Sequence, residues 1–181
     1  MELYIIVLSV LFVGVHAGSY NNMAKLHTDL LSDYSRNIRP IENQNNQMSI
    51  TFIHSLSNFQ SFDAVTGRLT CLLTIYLAWT DEKLRWTPAN YGNVEKAYFA
   101  KSQVWTPDVV LASGVDSLSF TVTTSVTVTN YGYASAIAAD VVTSICTPDI
   151  TYYPYDVHNC SLLFIASDPY TLVDLTLFSR S

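Results

Sequence analysis

The stretch Cys146-Thr-Pro-Asp-Ile-Thr-Tyr-Tyr-Pro-Tyr-Asp-Val-His-Asn-Cys160 is the most informative part of the sequence. Its two cysteines enclose 13 residues, with an aromatic core, Tyr153-Pro154-Tyr155-Asp156, at the centre. A disulfide across this loop would stabilise the fold by about 3 kcal/mol in the chain-entropy model. The aromatic and proline residues would then form a stiff apolar tip. Alternating apolar and polar residues on both sides predict that the loop joins β-strands.

Alternation of this kind predicts that most of the chain is β-strand. From Leu69 to Trp79 every second residue is apolar, and Thr74 and Tyr76 belong to the opposite face, as in a half-buried strand. The same period of two returns in residues 120–128, 141–145, 160–165 and 172–178. Turn-forming residues separate the runs, at 63–67, 87–92, 113–116, 130–132 and 168–169.

One helix precedes the strands. Apolar residues recur at steps of three and four between Met23 and Tyr34, with Asn21 or Asn22 available as a cap and Pro40 as a stop. A single helix followed by many short strands predicts an all-β fold. We expect an antiparallel, Ig-like Greek-key β-sandwich with one N-terminal α-helix.

Composition limits the function classes. The chain has 181 residues, which is enough for about one domain. It carries 9 basic and 15 acidic residues, a formal charge of −6, which excludes electrostatic binding of nucleic acids. Charged residues make up 13% and hydrophobic residues 49%, which excludes an intrinsically disordered chain.

The N-terminus is predicted to be a secretory signal peptide, residues 1–17. Residues 3–15 form an apolar block too short to span a bilayer comfortably, and Val15-His16-Ala17 has small residues where signal peptidase cleaves. Glu2 stands where a basic residue is usual, so a buried or anchoring N-terminal helix is the alternative. No later apolar run is long enough to span a membrane, so we expect a secreted chain that begins at Gly18.

If the chain is secreted, two of its three cysteines can form a disulfide, because the compartment is oxidising. Cys146 with Cys160 is the obvious pair. Cys71 lies on the apolar face of its strand, where a buried free thiol is expected rather than a reactive one. Asn159-Cys160-Ser161 is a glycosylation sequon, which predicts a surface position for Asn159.

Three further motifs accompany the cysteine loop in a fixed order. They are LLSDY at 30–34 followed by Arg39-Pro40, WTDEKLRW at 79–86 followed by Tyr91-Gly92, and WTPDVVL at 105–111. Together with the loop of 13, these motifs resemble the extracellular ligand-binding domain of the Cys-loop ligand-gated ion channels, in particular the nicotinic acetylcholine receptor branch. The likeness covers most of the predicted mature chain.

The resemblance implies a domain outside the cell that assembles with neighbouring homologous subunits in a homo- or hetero-pentamer, each principal face meeting the next complementary face. It implies that the loop tip rests on a membrane domain and couples ligand occupancy to a pore. The alternative is a disulfide that only joins two strands. Framework positions of the family fall on Trp79, Trp86, Trp105, Pro107 and Asp108.

The resemblance also locates a ligand site, and there the sequence departs from the family. Aromatic rings hold an amine ligand because each ring face attracts a cation by about 0.5 to 2 kcal/mol. Three ring positions fall on Ala112 in the first ligand loop, Thr74 on the complementary face and Ser167 in the second ligand loop. Tyr76 or Tyr170 could substitute in part. We therefore expect a depleted aromatic cage that binds a small amine weakly or not at all.

Residues 18–181 are expected to be an incomplete ligand-binding domain. The last strands, the third ligand loop (loop C) and the membrane helices of the family have no counterpart in the sequence, so membrane contact is expected only through segments outside it. One interpretation is the ligand-binding domain of a channel subunit. The alternative is a soluble secreted homologue similar to the acetylcholine-binding proteins, with altered or lost ligand binding.

A secreted hydrolase is the third function class, and the sequence offers little for it. The predicted mature chain has only His27, His54 and His158 and contains neither Gly-x-Ser-x-Gly nor His-Glu-x-x-His. His54 with Asp63 could bind a metal, but a pair at that spacing is common by chance. We expect no enzyme activity, no cofactor and no metal.

Overall fold

The computed structural model describes residues 18–115, 118–120, 125–147, 151–152, 155, 160–166 and 173–177. The predicted signal peptide lies outside these residues. Within the described residues, one α-helix and one short 3₁₀-helix, Pro88–Tyr91, accompany the strands. The elements are α1 Tyr20–Leu31, β1 Met48–Asp63, β2 Arg68–Thr80, β3 Lys96–Phe99, β4 Val109–Leu111, β5 Leu118–Phe120, β6 Val126–Thr129, β7 Tyr133–Ile145, β8 Phe164–Ala166 and β9 Val173–Leu177.

In the part of the chain that the structure describes, the strands form two sheets, which confirms the all-β prediction with one N-terminal α-helix. Six strands lie in the order β3-β6-β7-β2-β1-β9 and three in the order β5-β4-β8. The pairings are antiparallel except between β1 and β9, where Met48 pairs with Val173 in parallel. The predicted antiparallel sandwich therefore contains one parallel pair, at this edge of the larger sheet. Parallel neighbours need a crossover, and β8 in the smaller sheet precedes β9 along the chain.

The helix is shifted relative to its prediction. Ser19 is the cap, because its side-chain oxygen accepts the N–H of Asn22 at 3.3 Å, so the helix begins before the asparagines expected to cap it. It ends at Leu31, well before Pro40. One apolar helix residue, Leu26, is fully buried in the core.

The run at residues 120–128 was predicted as one strand and contributes to two. Its first residue ends β5, which pairs with β4 in the smaller sheet. Residues 126–128 belong to β6, which pairs with β3 and β7 in the larger sheet. Alternation of valine and threonine fits either sheet, so the pattern alone does not show where the chain changes sheets.

The core lies between the sheets and confirms the alternation predicted for β2. Cys71, Leu73, Ile75, Leu77 and Trp79 are buried on one face. Phe52 of β1 packs against Phe164 of β8 with ring centroids 4.9 Å apart. The largest fully buried side chains are Phe52, Phe99, Leu26, Ile50, Leu73, Ile75, Leu77, Leu84, Leu111, Val104 and Val109.

Candidate functional site

Thr74 and Tyr76, the predicted complementary-face positions, lie on the outer face of β2, away from the core. Both are half-buried, whereas Leu73 and Ile75 beside them are buried. The Thr74 hydroxyl lies 2.7 Å from the hydroxyl of Ser57 on β1. A threonine engaged in this way gives this part of the face a polar, hydrogen-bonding character.

The hydroxyl of Tyr76 lies 3.3 Å from that of Tyr133, on the neighbouring strand β7. The pKa of Tyr133 is raised to about 12. The hydrogen bond with Tyr76 is the largest cause, followed by burial and by the charges of Tyr76 and Tyr131. Tyr133 did not stand out in the sequence as a site residue. Its position directly after the predicted turn 130–132, together with the period of two, could have placed it on the outer face.

Ala112 is exposed and directly follows β4 in the smaller sheet. Its N–H donates to the carbonyl of Leu163 at 2.8 Å, which fixes the main chain beside β8. The structure therefore places Ala112 on a different sheet from Thr74 and Tyr76. Within one chain these positions belong to different surfaces. The other two candidates, Ser167 and Tyr170, lie outside the described residues.

The disulfide between Cys146 and Cys160 is present, with the two Cα atoms 4.5 Å apart. Cys146 follows β7 of the larger sheet and Cys160 precedes β8 of the smaller one, so the bond links the two sheets. Cys71 is free and buried, as expected.

The loop tip and the sequon are only partly described. Tyr155 is 84% exposed, and its N–H donates to the carbonyl of Tyr152 at 2.7 Å in a tight turn. Tyr153, Pro154 and Asp156 lie outside the described residues, as does the sequon residue Asn159.

The framework tryptophans are all buried. Trp79 and Trp105 meet edge to face with ring centroids 5.8 Å apart, and Nε1 of Trp86 donates to the carbonyl of Val94. Among the described residues, one buried side-chain polar atom, Nε1 of Trp79, has no hydrogen-bond partner. Pro107 is buried and Asp108 is exposed. These tryptophans belong to the core and not to an exposed site.

The outer face of β7 carries a row of exposed apolar side chains that we call the outer stripe: Tyr133, Ile137, Val141 and Ile145. They are 38%, 42%, 42% and 59% exposed. The register sets Ile137 beside Tyr76, and Val141 beside Leu72, on β2. At about 3.4 Å per residue the stripe runs about 40 Å along the sheet. Ser135, Ala139 and Thr143 lie between the stripe residues on the same face. Large apolar side chains exposed along one face of a sheet indicate an association surface.

The pair considered for a metal, His54 and Asp63, has other contacts. His54 packs beside Phe52 and Phe164, with centroid distances of 5.8 and 5.7 Å. Asp63 accepts the hydroxyl of Thr66 at 2.6 Å and the N–H of Val65 at 2.9 Å in the turn after β1, and the Thr66 bond is the main cause of its lowered pKa. The described part of the chain contains no group of three or more His, Cys, Asp or Glu side chains that could hold a metal.

Comparison with known families agrees with this architecture. The family model "Neurotransmitter-gated ion-channel ligand binding domain" matches residues 23–180. The chain belongs to this family. The disulfide between Cys146 and Cys160 agrees with the cysteine loop on which the sequence resemblance to this family was based.

Individual relatives are receptor subunits. Neuronal acetylcholine receptor subunit alpha-5 of Homo sapiens is 35% identical over 137 residues, 75% of this chain and 29% of the relative. Acetylcholine receptor subunit alpha-type unc-63 of Caenorhabditis elegans is 30% identical over 162 residues, 89% and 32% respectively. Acetylcholine receptor subunit beta of Xenopus laevis is 28% identical over 176 residues, 94% and 36%.

The chain thus spans about a third of the length of the curated relatives it matches. Among the residues that the structure describes, no helix is both long and apolar enough to cross a membrane.

Proposed function

We propose that this chain is the extracellular ligand-binding domain of a nicotinic-receptor-like channel subunit and that it assembles with homologous subunits in a pentameric ring. The family match and the receptor-subunit relatives support the class of protein. The location is the outer face of the plasma membrane, reached through a signal peptide at residues 1–17. The domain, residues 18–181, acts by binding and assembly and not by catalysis.

The observation that carries the assembly proposal is the outer stripe. The inner face of β7 is covered by the core, but Ile137 and Val141 remain 42% exposed on the other side of the same strand. Water contact at a row of large apolar side chains is unfavourable, and covering them with a neighbouring subunit removes that cost. In a ring, the stripe of one subunit contacts a different surface of the next subunit. Because the ring closes, the stripe of every subunit is covered.

The ligand site between subunits would have an unusual character. Thr74 and Tyr76 adjoin the stripe and offer hydroxyl groups, while Ala112 offers no side chain that could hold a cation. We therefore expect acetylcholine to bind weakly or not at all. Sub-micromolar binding in calorimetry would contradict the assignment of Ala112, Thr74 and Ser167 as cage positions.

The test compares the oligomeric state of the wild-type chain with that of variants that carry a charged residue in the outer stripe. Native mass spectrometry and sedimentation should show oligomers for the wild type and monomers for Ile137→Lys and Val141→Lys, because a buried lysine opposes the contact. Val65→Lys is the matched control, since Val65 is 92% exposed in the turn between β1 and β2. Circular dichroism checks that all variants fold. A monomeric wild type, or stripe variants that associate as it does, would contradict the proposal.

A further inference from the structure

A buried carboxylate lies directly after β2, where loops from several parts of the chain meet. Asp81 is 1% exposed. Its Oδ1 accepts the N–H groups of Lys83 and Leu84 at 2.9 and 3.0 Å, and its Oδ2 accepts the hydroxyl of Tyr34 at 2.7 Å. Burying a charge is costly unless hydrogen bonds satisfy it, so these three donors explain how a carboxylate is kept here.

The main chain of Asp81 is hydrogen-bonded to the turn between β6 and β7. The N–H of Asp81 donates to the carbonyl of Gly132 at 2.8 Å. Gly132 has a φ of 87°, and a Cβ added to it would lie 2.3 Å from the carbonyl oxygen of Asp81. Only glycine fits this close approach. The main chain of Asp81 is therefore held in place, as well as its side chain.

Tyr34 extends the network to a distant segment. It lies beyond the end of helix α1, and its hydroxyl oxygen accepts the main-chain N–H of Trp105 at 3.1 Å while its hydrogen goes to Asp81. The order of donors is therefore fixed: the Trp105 N–H donates to Tyr34, and the Tyr34 hydroxyl donates to Asp81. One hydroxyl joins residues 71 positions apart in the sequence.

Trp105 begins the segment that ends at a predicted ligand position. The ring of Trp105 packs edge to face against Trp79, Pro107 is buried, and β4 leads to Ala112. The downstream end is fixed by the hydrogen bond from Ala112 to Leu163. The bond to Tyr34 fixes the main chain at the upstream end, so residues 105–112 are held at both ends.

We propose that Tyr34 is a positioning residue that holds the segment 105–112 in place, by fixing the main chain of Trp105 against the buried Asp81 carboxylate. It thereby couples the end of helix α1 to the first ligand loop. The proposal rests on the proposed function only in naming 105–112 as a ligand segment. The anchoring itself is measurable in the chain alone, whether or not it assembles.

The test is hydrogen exchange of the full chain carrying Tyr34→Phe. Losing one hydrogen bond of ordinary strength should speed exchange of residues 104–112 about two- to tenfold, while β1 and β2 keep their rates. Tyr91→Phe is the matched control, because it removes a hydroxyl that donates to the exposed Asp29 at 3.0 Å. An even rise over the whole chain, or unchanged rates at 104–112, would overturn the proposal.

Asp81→Asn tests the order of donors. An amide has only one oxygen, so if that oxygen serves Lys83 and Leu84, an NH₂ group faces Tyr34 and its hydroxyl hydrogen loses its acceptor. We expect the same local rise at 104–112, and no further rise when Tyr34→Phe is added, because both variants break one link. If the increases in exchange rate of the two variants add up in the double variant, Tyr34 and Asp81 do not act through one chain of hydrogen bonds, which would contradict the proposal. Should the variants not fold, an unprotected Trp105 amide in the wild type would refute it.

Discussion

The inner and outer faces of β2 and β7 both carry apolar side chains, but in different surroundings. On the inner face, Leu73 is 1% exposed and packs in the core between the sheets. On the outer face, its neighbour Leu72 is half-buried and pairs with Val141, which is 42% exposed. The inner residues are covered when the chain folds. The outer residues still expose apolar surface afterwards.

This difference determines how much a substitution on each face costs in stability. The framework tryptophans pack inside, where a change of volume costs stability directly. Thr74 and Tyr76 are on the outer face, and their replacement changes what a neighbour or ligand meets with little effect on the core. A chain of this family can therefore keep its fold when residues on the outer face change.

The largest expected effect separates the two faces at adjacent residues. Leu73→Ala should lower the free energy of unfolding by about 2–5 kcal/mol, because it leaves a cavity in the core. Leu72→Ala should lower it by about 1 kcal/mol or less, because the side chain is only half-buried. Urea unfolding of the wild type and both variants measures this. Equal losses would show that the outer face is as important for folding as the inner one.

The second prediction concerns the link between the sheets that enclose the inner face. Replacing Cys146 and Cys160 together by alanine should lower the free energy of unfolding by about 3 kcal/mol, because the unfolded chain loses its closed loop. Cys71→Ala leaves the disulfide intact and is the control for cysteine loss, with a smaller expected effect. If the paired replacement leaves urea unfolding unchanged, packing alone holds the two sheets together.

Sequence patterns predicted the inner face better than the rest. The alternation in β2 identified its buried residues because large apolar side chains mark them clearly. The first half of β7 was missed, because its buried positions are Ala134, Ala136 and Ala138, which are too small to give strong alternation.

Long-range polar contacts could not be predicted at all. Tyr34 was recognised as part of the apolar helix pattern and of the LLSDY motif, but its bond to Asp81 joins residues 47 apart in sequence. No local pattern records such a pairing, since it depends on how distant loops meet. The same holds for the pair of Tyr76 and Tyr133, 57 residues apart.

The smallest expected effect tests the polar part of the outer face. Tyr76→Phe removes the hydrogen bond that contributes most to the pKa of Tyr133, about 12, so that pKa should fall towards its ordinary value near 10. In the unfolded chain Tyr133 ionises near pH 10, so folding loses stability as the pH rises from about 10 through 12. The Tyr76→Phe variant should lose less folding stability than the wild type between about pH 10 and pH 12. Tyrosinate absorbance during alkaline titration measures the pKa, with Tyr98→Phe as the control on the same sheet. An unchanged titration would mean that the two hydroxyls do not interact in solution.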